Sequence, residues 1–138
     1  MRATAIGVGV VIALLGIGVG AAQSVPSEGD PLPRSVSTDP TYGVTEANPI
    51  KVGRAHGGPR DEQLYLSALR GPDGQPVKSQ RLGSCCHFET PNDFGMGTGG
   101  LLDKYEVKYR GIARPVILFL NMYDYEQPLA PMGFTVPK

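Results

Sequence analysis

The sequence predicts an α+β domain in which a small antiparallel sheet carries one main helix. Three observations predict it. Residues 59–71 bracket an apolar stripe with helix start and stop signals. Residues 101–109 alternate apolar and polar side chains, and residues 116–123 form an apolar run after a turn. A helical period and two strand periods within one domain's length of chain give that fold class.

The chain starts differently. Met1-Arg2 is positive, Ala3 to Ala22 carry no charge, and an apolar run leads to small residues at Gly20-Ala21-Ala22 before polar Gln23-Ser24. That order is a secretory signal peptide over residues 1–22, which implies a periplasmic or secreted protein. The run approaches the about 20 residues of a membrane span, so an uncleaved N-terminal anchor is the alternative. The glycines that thin the run and the single basic residue before it favour cleavage. Residues 23–41 hold four prolines and few large apolar groups, which predicts a flexible linker. The domain is expected over 42–138.

Within it, further strands are expected at Ile50–Val52, Val77–Leu82 and Cys86–Thr90. The helix is expected over 59–70. Pro59 suits the first helical position, and Asp61 and Glu62 suit the positive end of the macrodipole. Leu64, Tyr65, Ala68 and Leu69 supply the apolar face, with Arg70 in the last turn. Gly71 is expected to take the left-handed position after the helix and Pro72 to prevent continuation. Gly71-Pro72-Asp73-Gly74 reads as a tight turn. In the strand 101–109, Leu101, Tyr105, Val107 and Tyr109 are expected on one face, opposite Lys104, Glu106 and Lys108. Residues 116–123, apolar on both faces, read as a central strand paired antiparallel to it.

Lys plus Arg and Asp plus Glu both number 13, so the formal charge is zero. Nucleic-acid binding and attraction to an anionic membrane need a basic excess, and neither is expected. No membrane span is expected once the signal is removed. The partner expected instead is an envelope protein or ligand.

The two cysteines are adjacent, in Gly83-Ser84-Cys85-Cys86-His87-Phe88. One disulfide stapling distant segments is the ordinary reading of two exported cysteines, but adjacent Cα atoms lie about 3.8 Å apart, below the about 4.4 Å usual for disulfides. Such a ring closes almost no loop. Four accounts compete: small side chains packed on a strand, one inward and one outward; a vicinal disulfide acting as a redox or structural element; a copper or zinc site of Cys85, Cys86 and His87, with Met96 as a further ligand; and intermolecular pairing or thiol nucleophilicity. Strand alternation sends neighbours to opposite faces, which weighs against three consecutive ligands.

Asn121, Tyr123, Asp124 and Tyr125 form a second candidate, for binding, because a polar residue ending an apolar strand must find partners if buried. His56, in the loop before the helix, is expected to be solvated. Gly95-Met96-Gly97-Thr98-Gly99-Gly100 matches G-x-G-x-x-G. The alternating run after it is a strand rather than the helix a dinucleotide site needs, so residues 91–100 read as a mobile loop beside the cysteines. The Gly-Ser-Cys of papain-type proteases lacks its downstream histidine here. No catalytic residue can be assigned from the sequence.

The strings Arg81-Leu82-Gly83-Ser84-Cys85-Cys86 and Asn121-Met122-Tyr123-Asp124-Tyr125, with Tyr42-Gly43, Asn48-Pro49-Ile50-Lys51-Val52-Gly53 and Gly99-Gly100-Leu101-Leu102-Asp103, resemble a family of small exported bacterial proteins of unassigned function. Its members often carry the name 2-dehydro-3-deoxyphosphooctonate aldolase. That enzyme is a (β/α)₈ barrel of typically about 250 residues with cytoplasmic phosphorylated substrates, so the name does not fit a short exported domain. Relatives often have proline where this chain has His87. The expected role is a non-catalytic envelope binding or interaction protein. The alternative is a thiol-redox or soft-metal-handling protein.

Overall fold

The computed structural model describes residues 12, 16, 18, 29–53 and 57–138. The signal-peptide reading of 1–22 falls almost wholly outside the described residues, and His56 lies outside them. The elements are β1 (Ile50–Lys51), α1 (Pro59–Ala68), β2 (Val77–Phe88), β3 (Gly100–Tyr109) and β4 (Val116–Asn121). The sheet order is β1-β4-β3-β2. The fold is α+β as the periodicities predict, but the sheet is mixed, because β1 runs parallel to β4. Among the described residues, no helix is long and apolar enough to cross a membrane.

Tyr105 and Val107 of β3, with Leu118 and Leu120 of β4, pack with Tyr65, Leu66 and Leu69 around Ile50 and Val52. β4 is central, as its apolar run predicts, but it stops at Asn121, and residues 122–124 turn away. Leu101 is exposed, and Asp103 takes a buried place on the face expected to be apolar.

α1 begins at Pro59 but ends two residues early. Leu69 is already extended, with φ −62° and ψ 148°, because Arg70 exchanges backbone hydrogen bonds with Thr135 at 3.0 and 2.8 Å. Gly71 does not need the left-handed conformation. Gly74 takes it instead, at φ 80°, closing the expected turn by donating to the Gly71 carbonyl at 3.0 Å. The Arg70 guanidinium donates to the Ser67 and Leu69 carbonyls at 2.8 Å and so serves the helix end from outside it. The buried face is Asp61, Glu62, Tyr65 and Leu66, continued by Leu69, so the two acidic residues face inward.

The two strands expected at 77–82 and 86–90 are one. β2 runs antiparallel to β3 through register shifts between Arg81 and Gly83 and between Cys85 and His87. Leu82 and Cys86 are the extra residues of two β-bulges.

The proline-rich segment is bound to the domain from Asp30 onward, where a free linker was expected through residue 41. Val36 bridges Ala130, Ser37 N–H donates to the Ala130 carbonyl at 2.8 Å, and the Tyr125 hydroxyl donates to the Asp30 carbonyl at 3.1 Å. Pro31 and Pro33 are buried. Proline has no N–H to leave unsatisfied, so these residues pack without a ladder.

Candidate functional site

Asn121, where β4 ends, is buried. Its Oδ1 accepts the N–H groups of Tyr123 and Asp124 at 2.8 and 3.0 Å, which folds the chain back after the strand. Its Nδ2 donates to Asp124 Oδ2 at 3.0 Å. The other Asp124 oxygen accepts from Thr90 Oγ1 and from Asn92 Nδ2 at 2.5 and 2.9 Å. Burial pushes the Asp124 carboxyl up, but the hydrogen bonds from Thr90, Asn92 and Asn121 and the charge of Lys51 outweigh it and hold it below the usual carboxylate range. Asp124 is therefore ionised and internally satisfied.

The candidate set of four divides. Asn121 and Asp124 line an open cleft of about 560 Å³ together with Glu46, Lys51, Cys86 and Phe88. Tyr123 turns to an aromatic group, with ring centroids 5.7 Å from Phe88 and 5.2 Å from Phe94. Tyr125 faces Asp30.

The cysteine pair reaches the same cleft through Cys86. Cys85 and Cys86 form a vicinal disulfide with Cα atoms 3.7 Å apart. Cys86 is the unpaired residue of the second bulge and has φ 63°, a left-handed conformation uncommon for side chains other than glycine, asparagine and aspartate. The bulge cancels the alternation that would send the two sulfurs to opposite faces. It also directs His87 away from them: His87 Nε2–H donates to the Thr98 carbonyl at 2.6 Å, tying β2 to loop 91–100. The contact is close enough that a Cβ on Gly99 would sit 2.4 Å from the Phe88 carbonyl oxygen.

Among the described residues, the side chain that joins both cysteines within ligand distance is Glu46, not His87. The expected ligand set of Cys85, Cys86 and His87 is therefore not assembled. While the disulfide stands, its sulfurs are bonded to each other and are not thiolate donors. Glu46 is carried on the turn 40–48, where Asp39 accepts hydrogen bonds from Thr41 and Asn48.

A second polar group lies between α1 and the sheet. Glu62 on α1 is fully buried and accepts from the Tyr105 hydroxyl at 2.8 Å, while Gln63 donates to that hydroxyl at 3.3 Å. Beside it, Asp103 accepts from Arg81 and Ser84 at 2.8 and 2.7 Å. Arg81 and Ser84, three apart, would face opposite ways in a regular strand; the first bulge turns both to Asp103. Burial, then the neighbouring Asp103 carboxylate, pushes the Glu62 carboxyl up to about 8. Glu62 Oε1 accepts no hydrogen bond, as expected if it carries the proton and donates to Asp103. The signal was spacing: Asp61 and Glu62 lie one turn before Tyr65 and Leu66, in line with the buried stripe.

Loop 91–100 leads into β3, so its glycines open no helix and make no dinucleotide site. Compared with known protein families, with curated proteins and with solved structures, the chain matches none.

Proposed function

We propose that this chain is an exported, non-catalytic binding domain that receives an envelope ligand or protein segment in the cleft beside Cys85–Cys86. One observation carries the reading: Asn121 and Asp124, at the cleft wall, are already engaged. The Asp124 carboxylate accepts from three side chains, whereas a general base works best poised near neutral pH with a free lone pair. What remains is a shaped rim with Glu46, Lys51 and Glu89 around an apolar strip of Leu102, Phe88 and Cys86, the mixture that orients a bound group without transforming it.

Thiol-disulfide catalysis is the second reading, and the formed disulfide favours it. Exchange catalysts lower their thiol pKa with cationic neighbours or helix N-termini. Here, among the described histidine and acidic side chains, the Glu46 carboxylate is the one grouped with both sulfurs, and a carboxylate opposes thiolate formation, so binding is preferred.

A photoreactive side chain in place of Glu89, at the rim, tests the reading against the same group in place of Lys108, at the far end of β3. After irradiation of intact cells, discrete adducts in the periplasmic or secreted fraction are expected from position 89 alone. Equal adducts from both positions, or none, would overturn it.

A further inference from the structure

The geometry points to a redox latch: the Cys85–Cys86 bond holds the β2 bulge that ties loop 91–100 to the sheet, and its two-electron reduction by a dithiol frees that loop. This inference names the regulation of the proposed cleft and rests on that reading for its consequence, though not for its structure.

The chain of contacts is short. Cys86 takes φ 63° as the extra residue between Cys85, opposite Leu102, and His87, opposite Leu101. An L side chain leaves that region unless its surroundings over-determine it, and here the ring closed with Cys85 constrains it from within. With Cys86 back in the ladder, it would pair Leu101 and His87 would pair Gly100. A slip of one residue exchanges the faces of every side chain beyond it. His87 would leave the Thr98 carbonyl, and Phe88 would leave Tyr123. The same two residues line the binding cleft, while His87 also lines the neighbouring hollow formed by Phe94, Met96, Thr98 and Tyr123. The bulge is therefore part of the wall between them. Phe94 and Met96, already 62% and 72% exposed, sit on the freed loop.

The chemistry balances with the dithiol as reductant. One donor thiolate attacks a cysteine Sγ, the S–S bond breaks, and the other cysteine leaves as a thiolate. The second donor thiol then displaces the mixed disulfide. The donor ends as a disulfide, and its two protons end on the Cys85 and Cys86 thiols.

The test compares the exported protein oxidised, reduced in place with dithiothreitol, and reoxidised. Reduction is expected to remove the nuclear Overhauser contacts of His87 with residues 98–99 and of Phe88 with Tyr123. It should also speed amide exchange over 95–99 by about tenfold or more, with both effects reversed on reoxidation. Two double variants separate the bond from the backbone. Cys85→Ser with Cys86→Ser should resemble the reduced protein under oxidising conditions. Cys85→Ser with Cys86→Gly should keep the His87 and Phe88 contacts without a disulfide, because glycine accepts φ 63° freely. Unchanged contacts and exchange on reduction would overturn the latch, as would a Ser/Gly variant indistinguishable from Ser/Ser. Failure of the binding reading would show separately, as absent adducts at position 89 in either redox state.

Discussion

A fully buried carboxyl is stable as the acid or as the partner of a cation, and Glu62 has Asp103 as its acidic neighbour and Tyr105 as its donor. The Arg81 charge is spent on Asp103, with which it makes a direct 2.8 Å ion pair. Glu62 therefore holds its proton, its carboxyl lying at about 8, against about 4.3 in an unfolded chain. The folded state then binds more protons than the unfolded one across that interval. The stabilisation is complete below the unfolded value and is lost as pH rises towards about 8, at about 1.4 kcal/mol per pH unit. The charged and titratable groups facing it are Asp103 and Tyr105 from β3 and Arg81 from β2. Glu62→Gln keeps the shape and a donor towards Asp103 but cannot titrate. Urea midpoints measured from about pH 5 to about pH 8 should fall for the natural protein and stay nearly flat for the variant. Parallel decline of the two would show that Glu62 is not the titrating group. That Asp61 and Glu62 point inward was open to a reading of spacing alone. Their acidity argued for the helix dipole instead, and acidic residues at a helix start are exposed often enough for composition to mislead.

At the scale of the element, β2 builds both polar sites by the same device. One bulge brings Arg81 and Ser84 together on Asp103, and the other sets the cysteines beside Glu46 and His87 on Thr98. The helix, the β3–β4 pairing and the central place of β4 were legible because each rests on a local period of 3.6 or 2. The bulges were not, because an extra residue breaks the period that would reveal it, and β2 was accordingly divided in two. Gly83, at φ 132°, is the one residue type that hints at the first bulge. The second is marked by the adjacency of the cysteines, whose ring has no regular place in a strand. The parallel pairing of β1 was equally hidden, since a two-residue strand carries no direction in its sequence. The close approach of loop 91–100 to β2 yields its own prediction. Gly97 and Gly99 have nearly the same φ, 69° and 68°, but only Gly99 has backbone within reach of an added Cβ. Gly97→Ala should cost about 1 kcal/mol through conformation alone, and Gly99→Ala about 2 to 4 through conformation and collision with the Phe88 carbonyl. Equal urea midpoints for the two would mean that the loop does not lie against β2 in solution.

For the whole molecule, the question is where the folded unit begins. Composition placed its start at Tyr42, because a segment with four prolines and few large apolar groups buries little surface of its own. Such a segment can still be ordered by a surface already built, and the C-terminal stretch after β4 supplies one. The Ala130 N–H and carbonyl bond Ser35 and Ser37, and the Pro128 carbonyl accepts from Arg34 N–H. Gln127 Nε2 donates to the Leu32 carbonyl at 3.1 Å, and the Tyr125 hydroxyl to that of Asp30. Tyr125, Gln127, Pro128 and Ala130 thus take partners from residues 30–37, and they follow directly from Asn121 and Asp124 at the cleft. A chain beginning at Gly29 should therefore melt like one beginning at Gln23. One beginning at Tyr42 leaves those carbonyls and hydroxyls to water and exposes the side of the core nearest Ala130. Its loss should exceed about 2 kcal/mol, a fall in melting temperature of about 8 °C or more for a domain of this size. The amides around Asn121 and Asp124 should lose protection along with it, because the segment that clamps the end of β4 has gone. If the two chains melt together with the same exchange at Asp124, the proline-rich segment is a tether along its whole length and the cleft stands without it.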